Sequence, residues 1–214
     1  ITAISACVNG GKLMQPYMVS KIYSDDGVIV EENTPTVVNQ VISKEVSDII
    51  NDMLEETVSK PGKYTFLEGY EIGGKTGTTQ KYEDGKIAGT YISSFCGTYP
   101  ASNPEYIVLI VVDEPGTGAY YGSIVASPYA KEIFASIIKL KDIQPDDPNY
   151  VALEKNIEMP NIVGKSLTDA CVELRNLGLN FEIQGEGGFV TAQLPPPKTM
   201  LYKGQSVYII TDTT

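Results

Sequence analysis

A glycine-rich stretch at residues 69–79, Gly-Tyr-Glu-Ile-Gly-Gly-Lys-Thr-Gly-Thr-Thr, constrains the fold of this chain more than any other segment. Its central Lys75-Thr76-Gly77-Thr78 fits two motifs that require different secondary structures. Gly69, four further residues and then Gly74-Lys75-Thr76 match the phosphate-binding loop pattern G-x-x-x-x-G-K-[ST], in which a helix begins at the lysine. The same residues also fit an extended strand, so the flanking segments must decide between the two.

The flanking segments disfavour the phosphate-binding loop. Such a loop follows a buried apolar strand, whereas residues 60–64, Lys-Pro-Gly-Lys-Tyr, have the composition of a turn. On the other side, residues 83–86, Glu-Asp-Gly-Lys, predict a hairpin turn and not the first part of a helix. A nucleotide-binding protein of the phosphate-loop class is therefore a remote alternative.

As a strand, the segment places Lys75 and Gly77 on one face and Thr76 and Thr78 on the other, because successive side chains alternate. Glycines at positions 73, 74 and 77 leave room for another backbone to lie alongside. An edge strand of this kind can capture an extended peptide through main-chain hydrogen bonds. A glycine-rich hairpin without any function is the simpler alternative.

Regular elements follow the strand. Residues 91–99 and 106–112 predict two further strands with a turn between them, and Asp113-Glu114-Pro115 closes the second. Ser127-Pro128 then predicts the N-cap and the first turn of a helix. The apolar residues of this helix recur at helical spacing: Ala130, Ile133, Phe134, Ile137 and Ile138.

This order of segments resembles a known family. The Lys-Thr-Gly box (residues 75–77), the hairpin, the apolar strand ending in Val-Asp-Glu-Pro, and Tyr121-Gly122 before a terminal helix are similar to the class B penicillin-binding proteins. The resemblance is to the C-terminal half of their transpeptidase domain and runs from residue 1 to about residue 140. It implies an α+β fold, namely part of a penicillin-binding or β-lactamase-like antiparallel sheet with helices.

The segments ahead of the box predict a helix, a hairpin and a second helix. Residues 1–9 have the pattern of the end of a helix, and residues 17–23 and 28–32 predict a hairpin over Asp25-Asp26-Gly27. Ser43 predicts the N-cap of the second helix. This helix carries an apolar stripe that we expect to pack under the sheet: Val46, Ile49, Ile50, Met53 and Leu54.

The C-terminal part of the chain carries a second resemblance. Ser166 predicts the N-cap and Gly178 the end of a helix with one apolar stripe: Leu167, Ala170, Cys171, Leu174 and Leu177. Strands are predicted at residues 179–183 and 206–211, with Pro195-Pro196-Pro197 between them. This combination resembles a single βαββ repeat of the PASTA type, which is found on cell-wall synthases and kinases.

Residues 141–149, Lys-Asp-Ile-Gln-Pro-Asp-Asp-Pro-Asn, are polar and contain two prolines, a composition typical of a linker. The sequence therefore predicts three parts. Residues 1–140 would be the C-terminal part of a transpeptidase domain, residues 141–156 a linker and residues 157–214 a small PASTA domain.

Composition excludes several classes of function. A chain of 214 residues with 42% hydrophobic content and a formal net charge of −11 predicts a globular protein that binds neither nucleic acid nor a bare anionic membrane surface. No stretch of about 18 apolar residues occurs. The absence of histidine excludes histidine triads and histidine zinc sites, and we expect no metal and no cofactor. Cys7, Cys96 and Cys171 lack metal-site spacing and are expected to be buried free thiols.

Two sequence motifs that the family needs for catalysis are missing from their expected positions in this chain. The nucleophile lies in Ser-x-x-Lys and its partner in Ser-x-Asn, both N-terminal to the Lys-Thr-Gly box. The only Ser-x-x-Lys here is Ser136-Ile-Ile-Lys139, after the box, and no Ser-x-Asn is present. We therefore expect a fragment that cannot be acylated alone, with the nucleophile and a membrane anchor N-terminal to Ile1.

The resemblance implies a role for each residue near the box. Lys75 would supply positive charge, and the hydroxyls of Thr76 and Thr78 would bind the substrate carboxylate. Gly77 would permit close approach, and the Thr78 N–H would be an oxyanion-hole donor. The expected catalytic residues are Lys75, Thr76, Gly77 and Thr78. The expected residues for binding substrate or β-lactam are Lys75, Thr76, Thr78 and Thr79.

The resemblance implies a peptidoglycan D,D-transpeptidase that cross-links stem peptides by acyl transfer, binds β-lactams and lies on the extracytoplasmic face of a bacterial membrane. Other cell-wall synthesis or division proteins are further expected partners. The alternative of a different class is a non-catalytic module that binds muropeptides through the PASTA unit. The sequence upstream of Ile1 distinguishes them, because Ser-x-x-Lys followed by Ser-x-Asn would support the enzyme.

Overall fold

The structure, a computed structural model, describes residues 1–58, 65–116, 118–147, 150–151 and 154–212. The turn predicted at residues 60–64 lies outside the described residues. The helices are α1 (Thr2–Val8), α2 (Lys44–Val58), α3 (Gly122–Val125), α4 (Ser127–Lys141) and α5 (Leu167–Asn176). The strands are β1 (Lys12–Met14), β2 (Lys21–Tyr23), β3 (Ile29–Glu32), β4 (Val37–Gln40), β5 (Gly73–Glu83), β6 (Lys86–Tyr99), β7 (Tyr106–Asp113), β8 (Ile157–Glu158), β9 (Asn180–Gln184), β10 (Val190–Leu194), β11 (Met200–Leu201) and β12 (Ser206–Thr211).

The strands nearest the N-terminus form two small antiparallel pairs. β1 pairs with β4, and β2 pairs with β3 in a hairpin over Asp25-Asp26-Gly27. Gly27 has a φ of +79°, a conformation that glycine adopts readily in such a turn. The predicted hairpin is confirmed, although its first strand begins at Lys21 instead of Tyr17. Helix α1 confirms the helix predicted at residues 1–9.

The buried face of helix α2 carries Ser47, Asn51 and Val58. Ser47 and Asn51 are buried, and their side chains donate hydrogen bonds to the backbone carbonyls of Cys7 and Val8. Three residues of the apolar stripe are exposed instead: Val46, Ile49 and Met53. The prediction that the whole stripe packs under the sheet is therefore wrong. The hydrogen bonds from Ser47 and Asn51 to the C-terminal end of α1 fix which face of α2 turns inward.

The central sheet is an antiparallel meander of three strands in the order β5-β6-β7. Asp84-Gly85 joins β5 to β6, and both residues have positive φ, 49° and 77°, as a tight two-residue hairpin favours. Lys75 lies inside β5, so the phosphate-loop interpretation, which requires a helix to begin at this lysine, is wrong. Among the described strands only β6 pairs with β5, which makes β5 an edge strand.

Helix α4 covers one face of this meander. Ala130 and Phe134 are fully buried against Phe95 and Tyr99 of β6, and the Tyr99 and Phe134 ring centroids lie 6.3 Å apart. Alternate residues of β7 pack on the same cluster: Tyr106, Val108, Ile110 and Val112. On the opposite face of β7, the side chains of Leu109 and Val111 are exposed.

The two serines predicted as helix caps differ in outcome. The Ser43 hydroxyl accepts a hydrogen bond from the Val46 N–H at 3.4 Å, as an N-cap side chain does. Ser127 is already helical, and its hydroxyl donates to the Ser123 carbonyl at 2.6 Å. Ala126 is therefore the N-cap of α4, and the prediction for Ser127 is wrong by one position. Pro128 does lie in the first turn.

Helix α5 packs against a small mixed sheet. The Ser166 hydroxyl caps α5 by accepting from the Asp169 N–H at 3.1 Å, and Gly178 follows its end with a φ of +72°, both as predicted. β12 lies between β9, to which it is parallel, and β10, to which it is antiparallel. β8 and β11 form a further pair. The βαββ resemblance implies a strand before α5, whereas β10 and β11 were not predicted. The buried core includes Met159, Ile162, Leu174, Leu201, Val207 and Ile209.

The described part of the predicted linker contacts the N-terminal part of the chain. The Asp146 carboxylate accepts from the Glu71 N–H at 2.7 Å, and the Tyr150 hydroxyl donates to the Glu68 carboxylate at 3.0 Å. Residues 148–149 and 152–153 of this segment lie outside the described residues. These contacts hold the start of the segment against the first part of the fold.

Candidate functional site

The residues of the predicted site lie on the edge strand β5. Thr76 is opposite Phe95, whose ring is buried under α4, so Thr76 faces the helices. Lys75 is opposite Cys96, and its side chain is exposed. Gly77 shares the Lys75 face, as strand alternation predicts. The exposed Thr79 follows on this same face.

The backbone of β5 presents polar groups at its unpaired edge. The Gly74 carbonyl accepts from the Thr57 hydroxyl of α2, and the Thr76 carbonyl accepts from Lys75 Nζ at 3.0 Å. Both carbonyls thus point away from β6. In an antiparallel edge strand every second residue directs both its N–H and its C=O outward. By this alternation the Thr78 N–H also points to the free edge.

The Thr78 hydroxyl is fixed from the helix side. Its oxygen accepts a hydrogen bond from the Gly122 N–H at 3.2 Å, at the start of α3. A hydroxyl that accepts one hydrogen bond keeps its own proton free to donate. Thr78 therefore offers two donors, its N–H and its hydroxyl, within a single residue.

Lys75 keeps most of its capacity to bind an anion. Its ammonium group has three donors, and the Thr76 carbonyl occupies one of them. The side chain is exposed, so the charge is accessible to a ligand at the strand edge. Together Lys75 and Thr78 can stabilise a carboxylate or an oxyanion.

Gly77 leaves space beside the Ser94 side chain of the neighbouring strand. A Cβ built at this position would lie 2.6 Å from Ser94 Oγ, closer than real Cβ contacts. A side chain here would displace the Ser94 hydroxyl. The glycine in the box therefore makes room for the Ser94 hydroxyl of β6.

A stack of tyrosines lies beside the far end of this strand segment and was not predicted. The rings of Tyr91 and Tyr120 are parallel within 9° with centroids 3.9 Å apart, and Tyr121 stacks on Tyr120 at 4.6 Å. Gln80 Nε2 donates to the Tyr91 hydroxyl at 3.2 Å. The hydrogen bond to Tyr121, together with burial, raises the pKa of Tyr120 to about 12. The sequence signal was the pair Tyr120-Tyr121 directly before Gly122.

A cavity of about 250 Å³ lies on the helix side of β5. Its lining includes Lys75 and Thr76 from β5, Ser123 from α3, and Glu182 and Tyr208 from the small C-terminal sheet. Of the predicted site residues, this cavity brings together Lys75 and Thr76. Thr78 and Thr79 lie further along the strand and are not among its lining residues.

The serine of the only Ser-x-x-Lys sequence lies elsewhere. Ser136 is an exposed residue of α4, and its hydroxyl donates to the Glu132 carbonyl one turn earlier at 2.8 Å. This bond ties Ser136 into its own helix. Ser136 and Lys139 are three residues apart and so lie about one turn apart on this helix.

The cysteines and acidic residues of the described ranges form no metal site. Cys7, Cys96 and Cys171 are free thiols as expected, but only Cys96 is buried, so the predicted burial of Cys7 and Cys171 is wrong. In the part of the chain that the structure describes, no group of three or more His, Cys, Asp or Glu side chains could hold a metal ion. None of the described helices has the length and apolarity to cross a membrane.

The chain belongs to the penicillin-binding protein transpeptidase family. Residues 1–135 match the family described as the penicillin binding protein transpeptidase domain, and residues 157–213 match the PASTA domain. Stage V sporulation protein D of Bacillus subtilis (strain 168) is 35% identical over 219 residues, which cover 98% of this chain and 33% of that protein. A peptidoglycan D,D-transpeptidase FtsI homolog of Mesostigma viride is 35% identical over 164 residues, covering 69% of this chain and 27% of that protein.

Solved structures agree with this assignment. Penicillin binding protein 3 of Mycobacterium tuberculosis, complexed with ampicillin, aligns with a TM-score of 0.60 and 25% identity over 69% of this chain and 35% of that chain. Penicillin binding protein 2X of Streptococcus thermophilus aligns with a TM-score of 0.52 and 16% identity over 99% of this chain and 33% of that chain, a likeness of fold alone. The predicted family and α+β fold are confirmed. The chain spans a third or less of the length of the two relatives given above.

Proposed function

We propose that this chain forms the Lys-Thr-Gly side of a peptidoglycan D,D-transpeptidase active site, within a longer protein that supplies the nucleophilic serine. The observation that carries this proposal is the unpaired edge of β5. It offers the exposed Lys75 ammonium and the Thr78 N–H and hydroxyl within four consecutive residues. The chain's family and its relatives named as D,D-transpeptidases support the same assignment.

The proposed reaction is acyl transfer between two stem peptides. A serine oxygen attacks the carbonyl carbon of a D-Ala-D-Ala bond, and the carbonyl oxygen becomes an oxyanion near the Thr78 N–H. The bond to the terminal D-Ala then breaks, and D-Ala leaves with a proton on its nitrogen. The amine of a second stem attacks the acyl-serine ester, which forms the cross-link and returns the serine oxygen to its protonated form.

Lys75 and the threonines would bind the negatively charged end of the donor peptide. D-Ala-D-Ala ends in a carboxylate, and a β-lactam carries a carboxylate as well. The Lys75 ammonium and the hydroxyls of Thr76 and Thr78 are donors suited to it. Thr79 offers a further hydroxyl on the Lys75 face of β5, and Gly77 leaves room on that face.

The family assignment also supports a location and a set of ligands. We infer that the intact protein acts on peptidoglycan at the extracytoplasmic face of a bacterial membrane and binds β-lactams. The ampicillin bound to the related Mycobacterium tuberculosis protein supports β-lactam binding. We also propose that it works alongside other cell-wall synthesis or division proteins, and the relative named as a sporulation protein supports a role in sporulation.

The test replaces Lys75 with alanine in the longer protein that contains this chain. Acylation by a fluorescent penicillin should slow by at least about 10²-fold, the scale of a lost electrostatic contact in a catalytic site. Stability should change little, because Lys75 is exposed. Lys86→Ala is the matched control, since Lys86 is an exposed lysine at the far end of the same hairpin.

An acylation rate within about twofold of the unaltered protein would contradict the role of Lys75, given the expected scale. The coding sequence upstream of Ile1 provides an independent check. Ser-x-x-Lys followed by Ser-x-Asn would support the enzyme, whereas an unrelated domain would favour a wall-binding module.

A further inference from the structure

The small C-terminal sheet is packed directly on the element that holds Thr78. Tyr208 and Ile210 of β12 form a buried cluster with Ala119 and with Ile124 of α3. Tyr208 is only 1% exposed, although its strand belongs to the PASTA region. The two matched regions, which the polar segment joins, therefore pack against each other through apolar side chains.

The Tyr208 hydroxyl lies between one group from each region. Tyr208 lines one cavity together with Glu182 on β9 and Ser123 on α3, and hydrogen bonding with both side chains contributes to the pKa of Tyr208. A carboxylate can only accept, so the Tyr208 hydroxyl is suited to donate to Glu182 and to accept from the Ser123 hydroxyl. Burial raises the pKa of Tyr208 above its usual range, so the phenol stays protonated and keeps this donor.

The residue before Ser123 makes the contact to the box strand. The Gly122 N–H donates to Thr78 Oγ1 at 3.2 Å. A Cβ built on Gly122 would lie 2.3 Å from the Ser94 carbonyl oxygen and 2.7 Å from the Gly77 carbonyl oxygen, so α3 begins in direct contact with the β5–β6 pair. A shift of Ser123 is therefore transmitted to the Gly122 N–H, since the two residues are covalent neighbours.

We propose that Tyr208 of the PASTA region is a positioning residue for the Lys-Thr-Gly strand. It holds Ser123, and through Ser123 it holds the Gly122 N–H that orients the Thr78 hydroxyl. Tyr208 contacts no reacting atom in this arrangement. The catalytic role of the contact rests on the proposed function, whereas the contact from Tyr208 to Gly122 can be tested in this chain alone.

The contact chain is tested with Tyr208→Phe in the 214-residue chain, by measuring amide hydrogen exchange at Gly122 and Thr78. We expect exchange of the Gly122 amide to become about fivefold faster, the scale of one lost hydrogen bond. Ser123→Ala should have a similar effect. The double variant should add little to either single change, because both remove the same interaction.

Ile209→Val is the matched control. Ile209 is fully buried and lies next to Tyr208 on β12, but it packs in the opposite core, against α5 and not against α3. This change weakens the C-terminal core without touching the Tyr208 hydroxyl. Unchanged Gly122 exchange in Ile209→Val supports the proposal. Equal acceleration in Ile209→Val and Tyr208→Phe, or none in Tyr208→Phe, overturns it.

The catalytic part is tested in the longer protein with a fluorescent penicillin. Tyr208→Phe should slow acylation several-fold, about the effect of one hydrogen bond, while Ile209→Val leaves the rate unchanged. An unchanged rate in Tyr208→Phe overturns the positioning role. If the unaltered protein is not acylated at all, the proposed function fails, and the Gly122 exchange still decides the contact chain.

Discussion

Cys96 lies on β6 directly opposite Lys75, at the centre of the candidate site. It is 9% exposed, whereas Cys7 and Cys171 are partly buried. Burial raises the pKa of the Cys96 thiol above its ordinary value, which lowers the fraction of reactive thiolate at any pH below that pKa.

We therefore expect Cys96 to react with iodoacetamide at pH 8 at least about tenfold more slowly than the other two cysteines, since both access and thiolate fraction oppose the reaction. Peptide mass spectrometry over a time course measures the three rates. After unfolding in urea the rates should converge. Equal rates in the folded chain would show that Cys96 is accessible.

Single residues also show how far the sequence could predict the site. The Lys-Thr-Gly motif located Lys75 and Thr78, and strand alternation assigned their faces correctly. The Gly122 N–H that bonds Thr78 lies 44 residues further along the chain, so no local pattern contains that contact. The stacking of Tyr91 on Tyr120 is likewise a product of tertiary packing.

At the level of elements, α5 depends on its N-terminal cap. Ser166 Oγ accepts from the Asp169 N–H, one of the backbone donors that a helix start leaves unpaired. Ser166→Ala should lower the free energy of unfolding of the C-terminal region by about 1 kcal/mol. Urea unfolding followed by circular dichroism measures this change.

Ser136→Ala provides the matched control, because Ser136 lies on the exposed face inside α4 and its hydroxyl bonds only within its own helix. Alanine favours helix interiors, so this change should leave stability within about 0.5 kcal/mol. A loss at Ser136 as large as that at Ser166 would rule out capping as the reason.

Helix α2 shows why periodicity predicted an element but not its packing. The spacing of Val46, Ile49 and Met53 correctly indicated a helix. Its orientation was decided by Ser47 and Asn51, whose side chains satisfy carbonyls at the end of α1. A pattern of apolar residues cannot reveal that a polar face has specific hydrogen-bond partners elsewhere.

The molecule as a whole exposes more apolar surface than its core elements suggest. The exposed apolar side chains on α2 and β7 are Val46, Ile49, Met53, Leu109 and Val111. Surface of this kind, together with the unpaired edge of β5, favours association between copies of the chain. We expect the purified chain to self-associate at micromolar concentration and to bind a hydrophobic dye.

Light scattering over a dilution series measures this association. Ile49→Lys with Met53→Lys should reduce both scattering and dye binding, because charge replaces apolar surface on α2. A monodisperse monomer without dye binding would show that the exposed side chains drive no association.

The order of strands in the two sheets has a consequence for how the chain folds. β5, β6 and β7 pair with their neighbours in sequence, whereas β9 must pair in parallel with β12 across the intervening β10 and β11. Closing the longer loop costs more entropy before any contact compensates for it, so local pairings form faster. In pulse-labelling hydrogen exchange during refolding, amides of β5 and β6 should become protected before those of β9 and β12, and the reverse order would contradict this. The strand that carries Lys75 would then form first, and the docking of β12 would complete the contacts around Thr78 late in folding.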